Sequence, residues 1–141
     1  MSERDDPGRT AAPFEPEWAK FTGASRVLVM CNSLLALVLE LALFAFVIWW
    51  ALSLDVSLWP RVLIAVAAVL ALGLLWGRYA APRAPVRLPT AGVLAVKAVA
   101  FGAGVAALWG VGYPTAAVAF AILVVANTSV VTFARAMPSA T

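Results

Sequence analysis

The sequence predicts an all-α membrane protein: a four-helix transmembrane bundle with both termini cytoplasmic. Three observations predict it. Hydrophobic residues make up 64% of the 141-residue chain and charged residues only 12%, against about 45–50% and about 25% in soluble domains. Four mostly apolar stretches of about 20 residues or more follow one another, each long enough to cross a hydrocarbon core of about 30 Å. Lysine and arginine gather in the segments that would lie on one side of that core. A backbone immersed in lipid must satisfy its own hydrogen bonds, so the spans are expected as helices. The short alternating segments of an outer-membrane barrel are not seen.

Composition also narrows function. The chain has no histidine, so the commonest general base and metal ligand are missing. Its single cysteine, Cys31, cannot form an internal disulfide or hold zinc, and reads as a small core residue. No metal site and no cofactor are predicted.

Residues 1–26 read as an acidic cytoplasmic tail. Glu3, Asp5, Asp6, Glu15 and Glu17 outnumber Arg4 and Arg9, and Pro7, Pro13 and Pro16 interrupt them. Such a segment cannot bury enough apolar surface to fold, so disorder is expected. Trp18 and Phe21, beside Lys20, are placed to rest on the membrane surface. The transmembrane domain then occupies residues 27–134, with spans at approximately 28–52, 61–80, 91–110 and 114–134, and a short tail at 135–141. The first span is too long for a signal peptide, whose apolar part runs about 7–15 residues.

The breaks between spans are chemically plain. A loop around Asp55 ends at Pro60, a residue suited to the first turn of a helix. Pro82, Pro85 and Pro89 favour extended chain over continued helix. Gly110, Gly112 and Pro114 predict a tight turn. Arg4, Arg9, Lys20, Arg26, Arg78, Arg83, Arg87 and Arg135 flank one side of the bilayer and Arg61 alone the other, which by the positive-inside rule places both termini in the cytoplasm. Trp49, Trp50, Trp59, Trp109 and Tyr113 would form the outer aromatic belt, with Trp76 and Tyr79 near the inner one.

The end of the second span reads Trp76-Gly77-Arg78-Tyr79-Ala80-Ala81-Pro82-Arg83-Ala84-Pro85, and the first carries Asn32 followed by Leu37-Val38-Leu39-Glu40-Leu41-Ala42-Leu43. With the four-span layout, roughly residues 27–134 resemble the YrdB-like family of small bacterial membrane proteins, a domain of unknown function. Arg78 departs from the more apolar residue expected between Trp-Gly and the aromatic. The resemblance implies a four-span topology and carries no activity.

The scarce polar residues inside the spans are the candidate functional ones. Glu40 lies roughly 18 Å along the helix from Leu28, near mid-bilayer, where a charge costs about 2.5–3.5 kcal/mol and normally faces the protein interior or a watery cavity. Ser33, Ala36, Glu40 and Val47 share a stripe expected to face the bundle. Lys97, about 10 Å into the third span, either pairs with Glu40 or snorkels to the headgroups, and both readings stay open. Asn127 in the fourth span and Asn32 in the first are read as interhelical hydrogen-bond glue ahead of a binding site. Together Glu40, Lys97, Asn127 and Asn32 form a candidate buried polar cluster open toward the cytoplasm. Arg78, Arg83 and Arg87 are candidates for holding topology or meeting lipid headgroups. Pairs of small residues, Gly73 with Gly77 and Ala100 with Gly104, mark close helix approach.

With so few catalytic side chains an enzyme is not expected, and arginines without a folded soluble domain around them do not predict nucleic-acid binding. The expected partners are the lipid bilayer and a second copy or another membrane protein. The chain reads as a non-enzymatic structural, accessory, small-molecule-binding or lipid-binding component of the inner membrane. The alternative is a small proton- or cation-coupled transporter using Glu40. At the level of four spans and one embedded glutamate this is similar to small multidrug-resistance exporters, whose other motifs are missing here.

Overall fold

The structure, a computed structural model, describes residues 21–81 and 83–136. Residues 1–20 of the predicted tail, Trp18 and Lys20 among them, and the residues after 136 lie outside it, whereas Ala24–Arg26, expected in that tail, belong to a helix. Helix α1 spans Ala24–Leu52, α2 Leu58–Leu75, α3 Thr90–Val111 and α4 Pro114–Ala136. Each is long and apolar enough to cross a membrane, α2 when taken together with the turn that follows it. The chain is a four-helix, multi-pass membrane protein.

Helix α1 starts a turn earlier than the apolar pattern suggests. Gly23, at a φ of 64°, is the first position that departs from helical geometry, and Ala24, Ser25 and Arg26 continue the helix without an obstacle. Its 29 residues measure about 43 Å at 1.5 Å per residue, so its first turns extend past a 30 Å apolar layer. At its far end Ser53 Oγ donates to the Trp50 carbonyl at 2.7 Å. Arg61 reaches back from α2: its Nε donates to the Val56 carbonyl at 2.6 Å and a terminal nitrogen to the Leu52 carbonyl at 3.3 Å. A cation at the end of α1 offsets the partial negative charge of its last carbonyls.

Helix α2 begins at Leu58. Pro60 is tolerated in its first turn because amides there have no intrahelical acceptor. Its last five residues, Trp76–Ala80, widen into a π turn closed by the Ala81 amide donating to the Trp76 carbonyl at 2.8 Å. Pro82 has no amide hydrogen to give the Arg78 carbonyl, and a proline cannot continue a helix. That carbonyl instead accepts from Val86 N–H at 3.4 Å, which folds the arginine-bearing loop back on the helix end.

Between α3 and α4 the chain turns in two residues. Gly112, with φ 97°, supplies the left-handed step, while the Tyr113 amide donates to Leu108 and the Gly112 amide to Trp109. This is the Schellman arrangement, and Pro114 then opens α4. Gly110, expected in the turn, is instead helical; a Cβ there would come within 2.9 Å of the Trp50 ring.

Helix α1 packs most extensively on α3 and also touches α2 and α4, while α3 meets α4 and the π turn. The α1–α3 pair is therefore central, with α2 and α4 flanking it. Their shared core is Leu39, Leu43 and Val47 of α1, Ala100, Phe101 and Ala107 of α3, and Ala117 and Phe120 of α4. Aromatic edges fix it: Phe46 meets Phe120 at 5.1 Å and 88°, and Trp76 meets Phe101 at 6.0 Å and 84°. Ala100 and Gly104 are buried here as the sequence predicts, Gly104 so tightly that an added Cβ would stand 2.8 Å from Leu43 Cδ1. Gly73 and Gly77 meet nothing within 4 Å of such a Cβ; α2 turns them away from the rest of the chain. Cys31 is exposed on the outside of α1 rather than in the core.

Candidate functional site

The polar groups inside the bundle gather at two places. At the first, α1 and α4 face each other through two asparagines. Asn127 is 6% exposed, the one buried polar residue among the described side chains. Its Nδ2 donates to the Asn32 carbonyl at 2.8 Å and to Asn32 Oδ1 at 2.9 Å, and Asn32 Nδ2 reaches the Asn127 carbonyl at 3.5 Å. Each side chain thus addresses the other helix's backbone, and the two form a reciprocal clasp. Among the described residues no buried side-chain nitrogen or oxygen lacks a partner.

Glu40 lies eight residues further along α1, about 12 Å at the helical rise. Glu40 is half-buried there, on the edge of the stripe formed by Leu39, Leu43 and Val47. Lys97 of α3 acts on it as a charge. The Lys97 ammonium also stands 5.5 Å from the centre of the Trp76 ring, a cation–π distance. Glu40, Lys97 and Trp76 therefore bring α1, α3 and the end of α2 into one electrostatic neighbourhood. Of the four residues expected to share one cluster, Asn32 and Asn127 bond one another, and Lys97 bears on Glu40 as a charge.

One part of the predicted α1 stripe is placed differently. Ser33 is exposed and donates to the Val29 carbonyl at 2.8 Å, while Val47 is buried as expected. A shift of one residue explains it: Leu39 and Leu43 carry the interior face, which moves Ser33 off it and leaves Glu40 at its border. Arg78, Arg83 and Arg87 are all exposed, on the π turn and the proline-rich loop. The Arg78 guanidinium lies 6.0 Å from the Tyr79 ring centre.

Three contributors escape a sequence reading. Trp76 reads as a belt residue, yet it turns inward to give Lys97 an aromatic face and Phe101 an edge. Trp50 likewise leaves the belt to lie against Gly110, whereas Trp59 and Trp109 do face outward. The third is a cavity between α3 and α4 with Lys97 in its lining. Nothing in the spacing of α4 announces it, since Val131 and Thr132 look like ordinary span residues.

The sequence matches the family described as "Protein of unknown function (DUF2568)" over residues 34–125, well over half of the chain. That segment contains Glu40, Trp76 and Lys97, while Asn32 and Asn127 fall just outside its two ends. No curated protein and no solved structure matches the chain.

Proposed function

Because this chain belongs to the DUF2568 family, whose description assigns no activity, we propose its role from its own chemistry: a non-enzymatic structural or accessory component of a bacterial inner membrane. It works by presenting helix faces to lipid, to a second copy or to another membrane protein, and it needs no cofactor or nucleic acid. The observation that carries this reading is the asparagine clasp. The most buried polar side chain of the membrane-embedded part is spent on joining α1 to α4, and amides used this way are cohesive rather than chemical. The Trp76–Pro85 stretch supports reading the chain as YrdB-like. The excess of lysine and arginine on one side supports cytoplasmic termini and a cytoplasmic α2–α3 loop.

Glu40 favours a second reading. A carboxylate half-buried near mid-span, within the field of Lys97, is the arrangement a small proton- or cation-coupled transporter would use. Proteoliposomes carrying a pH gradient separate the two. The structural reading expects no flux for a broad panel of cations, together with a reproducible cross-linked partner or self-adduct in native membranes. A pH-driven flux that disappears in Glu40→Gln would replace it with the transporter.

A further inference from the structure

The α3–α4 cavity measures about 350 Å³, within the range of about 300–1,000 Å³ found for small-molecule sites. It lies at the end of the bundle where α3 begins and α4 finishes. Val93 and Leu94 of α3 and Val131 of α4 form apolar walls, and Thr90, Thr132 and Lys97 supply the polar lining. Thr90 is the first residue of α3, and Lys97 lies about 10 Å further along that helix.

Three features make the cavity lining a set of hydrogen-bond donors. Lys97 brings an ammonium with three N–H donors, whose positive charge is shared with Glu40 of α1. The start of α3 brings the positive end of a 22-residue helix, with no side-chain cap on its first amides. The two threonines bring hydroxyls. Ser33 and Ser129 donate to carbonyls one turn back, at 2.8 and 2.7 Å, as buried or lipid-facing hydroxyls commonly do. Thr90, as the first residue of α3, has no helical carbonyl one turn back, and both it and Thr132 line the cavity. Donors and positive charge above apolar walls fit an anion attached to a hydrocarbon chain. The position decides its source, because helix ends lie at the depth of lipid headgroups.

We infer that the α3–α4 cavity binds the phosphate head of an anionic lipid from the surrounding leaflet, held by Lys97, Thr90 and Thr132, with the acyl chain leaving past Leu94. This deepens the proposed membrane role by naming a ligand class, and it rests on the membrane reading but not on the absence of transport.

The test is native mass spectrometry of the full chain, released from detergent in the presence of phosphatidylglycerol, phosphatidylcholine or inorganic phosphate. Phosphatidylglycerol should be retained about tenfold better than phosphatidylcholine, the size expected for one charge-assisted contact. Lys97→Met should abolish that preference. Leu94→Trp, which fills the cavity and keeps the lysine, should abolish retention, while Arg87→Gln, outside the cavity, should leave it intact. Equal retention of the two lipids overturns the inference, as does full retention by Leu94→Trp. Displacement of the lipid by millimolar inorganic phosphate overturns the lipid assignment in favour of a free anion. If Lys97→Met does not fold, the wild-type lipid ratio and Leu94→Trp still decide. Flux and cross-linking report on the structural role separately, so failure of one reading is distinguishable from failure of the other.

Discussion

A membrane interior rewards few polar side chains, so each one carries a measurable consequence. Asn32 and Asn127 satisfy one another, and removing one leaves the other's amide in an apolar setting. Asn127→Leu and Asn32→Leu should each destabilise the fold, whereas the double substitution should cost clearly less than their sum, because both desolvated amides are then gone. A coupling of about 0.6 kcal/mol, and up to about 1.7, is the scale for such interhelical bonds. A double-mutant cycle by denaturant titration in micelles reads it, and strict additivity would mean that the clasp contributes no cohesion. The same design applies to Glu40→Gln with Lys97→Met. Their charges act on one another across α1 and α3, so the cycle should depart from additivity by about 0.5–3 kcal/mol. Independent losses would separate the two residues energetically.

At the scale of the helices, close approach and termination do the organising. Gly104 lets the α1 backbone come near α3, and Leu43 and Phe120 occupy the space a side chain would need. Gly104→Val should therefore cost about 1–3 kcal/mol through overpacking. Gly73→Val is its control: nothing lies within 4 Å of that position, so thermal unfolding of the monomer in detergent should be unchanged. A large loss at Gly73 would reveal that α2 meets a second copy there. Arg61 closes the α1–α2 loop by donating to the carbonyls of Leu52 and Val56. Arg61→Met should speed hydrogen exchange in the last turn of α1 and leave the α3–α4 turn as protected as before. Backbone bonds close both helix ends, at Gly112 after α3 and at Ser53 after α1, and the α1 end adds a side chain that mutation can remove.

For the whole molecule, topology is set by where charge cannot go. A cysteine introduced at Asp55 should react with a membrane-impermeant maleimide in intact cells, and one introduced at Arg83 should not; the reverse pattern would invert the proposed orientation. Four apolar stretches, their order and their breaks are legible in the chain because a bilayer of fixed thickness demands segments of one length, and Pro82 and Gly112 stop helices for reasons local to each residue. Ala100 and Gly104 are legible too, as small residues at a helical spacing. Which face of a helix turns inward is another matter when nearly every side chain is apolar. The α1 pattern admits a face through Ser33 as readily as one through Leu39 and Leu43, and Gly73 with Gly77 looks as suited to packing as Ala100 with Gly104. Only the packed structure chooses, because the choice depends on the shape of the facing helix. Phe120 and Leu43 fit around Gly104, while α2 meets the central pair on its other side. For the same reason the pairing of Asn32 with Asn127, 95 residues apart in sequence, and the turn of Trp76 toward Lys97 are tertiary facts. The sequence by itself determined how often the chain crosses, where it breaks and which few polar groups enter the membrane. The tertiary structure decided which of those groups meet, since in a uniformly apolar chain partners are selected by shape and donor geometry rather than by hydrophobic pattern.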